Sequence, residues 1–381
     1  MGQTHASWLA EPHNARTKRS RLSYFLSALL LFLALLCLFH QLPVPSPLFL
    51  VSPASAPLFD LQGHRGARGL APESTLFAFA AGLKAGVTTL ELDVTLAADG
   101  TPFVWHDERA LDSKCSGDAV GKRLEDLTYA EIKALDCGKT LPEFPRQVAH
   151  PGARIQTLDQ VLQFGLCVAP KGGLQWNVES KVQPPGYNST FSAEKYTQVI
   201  LDTLKRHDVI DRVIFQSFYW RTLHLSKLST PSLCTSALIA PFIHTLPADK
   251  ASLWLDGHTL DAQPGNTTSL RVAQAAASLG ADIVSPLHGA PGESGDAAYV
   301  PFTDAQMTHE AHRLGVHVLP WTVNAVLTAD RMHDVGAEGI ITDFPDEMHA
   351  WAVEKGVRVP PRRSERRVEK CLREALARDR P

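Results

Sequence analysis

The sequence predicts an α/β chain folded as a (β/α)8 barrel, and three observations carry that prediction. From Leu58 onward, short β-prone runs alternate with helical stretches, in about eight strand-then-helix units. The 381 residues suit a barrel of this kind as a single large domain. Charged and polar side chains recur at the C-terminal ends of the expected strands, where a parallel barrel carries its functional groups. A doubly wound open sheet is the other arrangement compatible with the same alternation. Hydrophobic content of 44% and charged content of 20% describe a chain able to bury a core, and a net charge of −3 gives no reason to expect nucleic acid as a partner.

The first element is not part of the barrel. Residues 1–21 carry Arg16, Lys18, Arg19 and Arg21 against Glu11, and the uncharged apolar run Leu22 to Phe39 follows directly. That run reaches the lower end of what spans a bilayer, about 17 to 25 residues. The expectation is a basic cytosolic N-terminus over 1–21, an uncleaved transmembrane signal anchor over 22–42 and a Pro/Ser-rich linker over 43–57. Basic residues before the span place the body outside the cytosol. Ala54-Ser55-Ala56 leaves open a secreted or periplasmic form after signal cleavage. The barrel is expected over 58–356, followed by a basic tail over 357–381. From Lys355 onward, ten basic residues stand against four acidic ones, so the body between the two ends is acidic, which suits a cation-dependent site.

Within the barrel, "LFDLQG" reads as the first strand and "STLFAFAAGLKAG" as a helix, with Leu76, Phe79, Ala80 and Leu83 at helical spacing. "TTLELDVTL" and "PFVWHD" follow. The polar region from about 108 to 156 then interrupts the alternation and reads as an insertion after the second strand. Cys115 and Cys137 flank part of it and can pair in an oxidising compartment, whereas Cys167 and Cys234 read as isolated buried thiols. Further strands are "LQWNVESK", "RVIFQSF", "SLCTSALI", "ADIVSPL", "GVHVLPWTVN" and "EGIITDFP", with helical patterns such as "EKYTQVILDTLKRHD" and "DAQMTHEAHRLG" between them. Asn188 and Asn266 head glycosylation sequons.

The strand ends carry a consistent chemistry. Glu91 and Asp93, two apart on a strand, point to the same face, and Glu179 ends the next main strand. Three carboxylates sharing a barrel interior resist ionisation unless a cation sits among them, and an all-oxygen set suits Mg2+ or Ca2+ better than zinc. His64 and His106 can divide general acid and general base work. Arg65 and Lys181 offer fixed positive charge to phosphate oxygens, and Gln216 and Trp321 stand at later strand ends as further substrate contacts. A His-Arg pair alone reads as a polar loop. Together with the acids and the second histidine it describes a site for cleaving a phosphodiester, in which a metal offsets phosphate charge.

The ordered set "HRG", "PEST", "ELDV", "DGTPFVWHD", "NVESK", "QSF", "WTVN" and "GIITDFPD" resembles the glycerophosphodiester phosphodiesterase family across residues 58 to 350. The resemblance implies a TIM barrel, a divalent metal on Glu91, Asp93 and Glu179, catalytic His64 and His106, and Arg65 and Lys181 near the phosphate. It further implies hydrolysis of small glycerophosphodiesters to sn-glycerol 3-phosphate and an alcohol. Ser74 stands where the family usually has Asn, and Ser180 where an aliphatic residue is common. Two alternatives are a lysophospholipase D-like enzyme on membrane lysolipids, favoured if Trp105, Trp220 and Trp321 form a wide apolar mouth, and a non-catalytic membrane-tethered barrel.

Overall fold

In the computed structural model the described residues are 58–379; the expected N-terminal segments 1–21, 22–42 and 43–57 lie outside them. Among the described residues no helix is long and apolar enough to cross a membrane. Among the described residues there are eleven strands: β1 (Asp60–Gly63), β2 (Thr89–Leu96), β3 (Pro102–Val104), β4 (Gln175–Ser180), β5 (Val213–Ser217), β6 (Cys234–Ile239), β7 (Ile283–Pro286), β8 (Gly289–Ala290), β9 (Val300–Pro301), β10 (His317–Val318) and β11 (Gly339–Thr342). Eight of them run parallel in the order β10-β7-β6-β5-β4-β2-β1-β11. The seam between β10 and β11 is spanned by backbone hydrogen bonds from Glu338 N to Val318 O, Ile341 N to Pro320 O and Val323 N to Ile341 O, so the sheet is a nearly closed barrel.

The sequence explains the choice of elements. Strands such as "VIFQS" and "CTSALI" are buried throughout, as expected where helices cover the outside of a parallel sheet. The helix Leu76–Ala85 begins where Thr75 accepts from Ala78 N, and Leu158–Val168 begins at a capping box of Thr157 and Gln160. Along Ala193–Arg206, Tyr196, Ile200, Leu201 and Leu204 are buried while charged residues such as Lys195 and Lys205 remain exposed. Inside the barrel, one half is apolar, with Ile214, Cys234, Ile283, Leu319 and Ile341 in one cluster. The other half is a hydrogen-bonded polar ladder in which Gln62 joins Asp60 to Asn177, and Asn177 joins Gln216.

Two features differ from the sequence reading. "PFVWHD" does not supply a barrel strand, because Pro102–Val104 folds back antiparallel on β2; the long β2 carries its register past the barrel rim and a short turn returns it. The C-terminal region is not a loose basic tail. Residues Glu365–Arg378 form a helix whose Val368, Cys371 and Ala375 enter the main core against the helices Leu76–Ala85 and Leu158–Val168. Cys167, read as an isolated thiol, is bonded there to Cys371. Their separation of 204 residues hides the pairing from any local pattern.

The inserted segment builds its own small core from Phe103, Trp105, Leu124, Ile132, Leu135 and Ile155, closed by a disulfide between Cys115 and Cys137. Peptide mapping without reduction should therefore recover Cys115 linked to Cys137 and Cys167 linked to Cys371; separate alkylated peptides for either pair would contradict the fold. Replacing Cys115 and Cys137 together by serine should lower stability by about 3 kcal/mol in denaturant titration, from the lost restriction of the unfolded chain.

Candidate active site

The site grows out of a tight turn at the end of β1. Gly66 has φ +93°, and a Cβ there would lie 2.5 Å from the backbone of Ala78, so only glycine lets the turn lie against the following helix. The turn throws His64 and Arg65 over the barrel mouth, with Arg65 itself left-handed at φ +49°. Ser74 also sits at a positive φ of 58°, a conformation asparagine tolerates better than serine, which gives a physical reason for the residue usual at that position.

Parallel register then gathers the carboxylates. Asp93 on β2 lies beside Glu179 on β4, and Glu179 beside Gln216 on β5. Glu91, Asp93 and Glu179 are buried, and each offers an oxygen within 4.8 Å of those of the other two. Glu91 accepts from Arg65 N at 2.8 Å and from Gln216 Nε2 at 3.0 Å. Lys181 Nζ lies 2.9 Å from Glu179 and 3.4 Å from Asp93. Burial, with the neighbouring charge of Asp93, holds Glu91 well above the usual carboxylate range. Burial pushes Glu179 up to about 7 in spite of Lys181. Asp93 goes the other way: burial would raise it, but the charges of Lys181, His106, Arg65 and His64 outweigh burial. Its Oδ2 is buried without a hydrogen-bond partner. Three converging oxygens, two of them on reluctant acids and one without a hydrogen bond, fit a hard divalent cation.

Both histidines are braced by carboxylates. His64 Nδ1 lies 2.6 Å from Asp343 Oδ1, and Asp343 in turn accepts from Asn324 Nδ2 at 2.8 Å. His106 Nδ1 lies 3.0 Å from Asp107 Oδ1. If each Nδ1 carries the proton, each Nε2 is left free to exchange one. Burial, followed by the charge of Lys181, pushes His106 down to about 4, so it is neutral at ordinary pH.

All nine residues singled out from the sequence, His64, Arg65, Glu91, Asp93, His106, Glu179, Lys181, Gln216 and Trp321, line one cavity of about 270 Å³. Their detailed placement is less uniform than expected. Gln216 uses its amide on Glu91 and Asn177, so it holds the acid in place. Arg65 donates through Nη1 to Glu73 at 2.8 Å and lies 3.4 Å from Asp93 through Nε, so much of its fork is committed to protein carboxylates. Trp321 gives its Nε1 to Ser285 O and presents a ring to Phe218, edge to face at 5.5 Å, as part of an apolar wall. Trp105 and Trp220 do not reach the mouth. Trp105 belongs to the insertion core, and Trp220 is wholly buried with its Nε1 on Leu238 O. The three tryptophans therefore form no wide apolar entrance. Asp343, Glu73 and Phe218 were not singled out as site residues, whereas Asn324 stands with Trp321 at the strand end of "WTVN". Asp343 and Asn324 stand inside quoted strand-end motifs, and that position is the signal that points to them.

A parallel barrel with carboxylate-braced histidines around an acidic triad at its strand ends is the framework of a phosphoric diester hydrolase. The glycerophosphoryl diester phosphodiesterase family model matches residues 64–347, and the chain belongs to that family. It is 30% identical to the uncharacterized protein YqiK of Bacillus subtilis, over 75% of this chain and 96% of that one. It is 28% identical to a glycerophosphodiester phosphodiesterase of Bacillus subtilis, over 77% of this chain and 85% of that one. A solved structure of a Silicibacter pomeroyi DSS-3 protein assigned as a glycerophosphoryl diester phosphodiesterase aligns with a TM-score of 0.65 and 28% identity, over 79% of this chain and 95% of that one. An Oleispira antarctica phosphodiesterase, solved with its product sn-glycerol-3-phosphate, shares the fold with a TM-score of 0.55 and 22% identity, over 78% and 97% of the two chains.

The raised carboxyl groups set a pH dependence. Without a cation, Glu179 favours the folded state when protonated, and that contribution is lost as pH rises from the ordinary glutamate value through about 7. A cation must displace the same proton, so its affinity should rise with pH by up to about tenfold per unit below that value. The increase in melting temperature on adding Mg2+ or Ca2+ should accordingly be larger at pH 8 than at pH 6. Equal increases at the two values would argue against these carboxylates as the binding group.

Proposed function

We propose that this protein hydrolyses small glycerophosphodiesters to sn-glycerol 3-phosphate and an alcohol, with Mg2+ or Ca2+ on Glu91, Asp93 and Glu179. The observation that carries this reading is the convergence of two braced imidazoles, His64 and His106, on one small cavity with that buried acidic triad. The product-bound relative supports the choice of product. Positive charge at the triad would offset the phosphate and acidify an attacking water. Lys181 and the free edge of Arg65 face the phosphate oxygens and hold them in place. His106, neutral and with Nδ1 held by Asp107, accepts a proton from the attacking water at Nε2. His64, with the Asp343 carboxylate behind it to stabilise an imidazolium, donates a proton to the departing alcohol. Phe218, Leu238 and Trp321 form the apolar side against which the carbon skeleton packs.

The modest volume and the many charged side chains lining the cavity favour a glycerophosphodiester over a lysolipid. The two disulfides support a body that matures outside the reducing cytosol, in keeping with the anchor expected over 22–42. Competition between glycerophosphocholine and lysophosphatidylcholine, with and without EDTA, tests the reading: the first should be hydrolysed in preference, and only without chelator. Preferential release of choline from lysophosphatidylcholine would reverse the substrate assignment, and undiminished activity of Glu179→Ala in EDTA would reject the metal.

The histidines should fail differently. His64→Ala and His106→Ala should each reduce kcat on glycerophosphocholine by roughly 10² to 10⁴ with little change in KM. A nitrophenyl phosphodiester, whose leaving group needs no protonation, should restore much of the rate to His64→Ala and none to His106→Ala. The opposite pattern would exchange their roles.

A further inference from the structure

We propose that Lys114, a residue of the inserted segment, is a positioning residue for His106, acting through Asp107. The proposal deepens the functional reading above and rests on its use of His106 in proton transfer. Lys114 is only 8% exposed, although a lysine at the surface of an insertion has an easy route to water. Its Nζ lies 2.5 Å from Asp107 Oδ2 and 2.8 Å from Glu73 Oε1, while the other Asp107 oxygen holds His106 Nδ1. The ammonium thus ties a carboxylate of the turn after β1 to the carboxylate behind the second histidine.

The two ends of this bridge are unequal. Glu73 also receives Arg65 Nη1 at 2.8 Å and Arg68 Nε at 2.5 Å, so its buried charge stays compensated without Lys114. Asp107 has only Lys114 opposite its Oδ2, and its side chain is partly open to solvent. Loss of the ammonium would leave that carboxylate free to turn outward and release the imidazole ring. The comparison with His64 points the same way. Its carboxylate, Asp343, directly follows β11 and is fixed by Asn324, which the barrel itself supplies. His106 has no such support from the barrel, and the insertion provides it. Lys114 is held for this task by its neighbours: Lys114 N and Cys115 N both donate to Leu111 O, and Cys115 is bonded to Cys137. The other charged groups acting on His106 are Lys181, Asp93 and Arg65, which line the main cavity with it.

The test is steady-state kinetics on the full chain with glycerophosphocholine, for Lys114→Met, His106→Asn and the two together. Lys114→Met should reduce kcat about 10- to 100-fold with KM changed less than about threefold, as expected for a misaimed proton acceptor in an intact binding site. Added to His106→Asn it should cause no further loss, because the ring it aims is gone. The melting-temperature increase on adding Mg2+ should match that of wild type, which a general collapse of the site would not allow. Lys114→Gln, neutral and of similar length, takes its place with the same expectations if the Met variant does not fold. A kcat within twofold of wild type, or a full additional loss in the His106→Asn background, would overturn the positioning role while leaving the functional reading intact. Wild-type activity of His106→Asn would remove both.

Discussion

The burial of Glu91, Asp93 and Glu179 within one small volume is the constraint on which the rest of this site depends. Three carboxylates in a low-dielectric space repel one another and lose hydration, and the surroundings answer that repulsion residue by residue. Arg65 and Lys181 stand against the acids, Gln216 and Arg65 N donate to Glu91, and Asp93 keeps an oxygen that takes no hydrogen bond and has only the Arg65 guanidinium at 3.4 Å beside it. Such an arrangement is poor as a device for stability alone, because apolar residues would fill the same space without penalty. It is a good device for holding a doubly charged ion against a phosphate.

The barrel makes this arrangement possible by dividing its interior. On the side of β6, β7, β10 and β11 the interior is apolar and supplies a wall of Leu238, Trp321 and Ile341 to the cavity. On the side of β1, β2, β4 and β5 it is a ladder of amides and carboxyls that continues downward from Glu91 through Gln216, Asn177 and Gln62 to Asp60. Each rung is hydrogen-bonded to the next, so Glu91 is aimed upward by a hydrogen bond as well as by packing. The insertion closes the open flank, and the C-terminal helix braces the outer layer through Cys371.

Much of this was legible in the chain. The alternation of β-prone and helical runs pointed to the parallel sheet, and the two-residue spacing of Glu91 and Asp93 put both on one face whatever the fold. The positions of His64, Glu179 and Lys181 at strand ends brought them to one mouth once the strands were parallel, whereas His106 arrives there from the antiparallel return on β2. These are consequences of periodicity, which is local and therefore written in the sequence. The antiparallel return of Pro102–Val104 was not distinguishable from a barrel strand, because both show the same apolar run.

What the tertiary structure alone decided is who touches whom across long separations. Asp343 stands 279 residues from His64, and Cys371 stands 204 from Cys167; no spacing rule connects them, since their meeting depends on the pairing that sets β11 beside β1 and on the final helix packing against the helix Leu158–Val168. The same holds for the roles of Arg65, Gln216 and the tryptophans. Their residue types suggested substrate contacts, but a guanidinium or an amide satisfies whichever partner the fold places nearest, and a tryptophan is core or rim according to the helix that covers it. The sequence by itself determined the kinds of chemical group present and the face of each strand they occupy, because those follow from residue type and backbone period. Their partners, and hence their tasks, were settled only by the packing of the complete barrel.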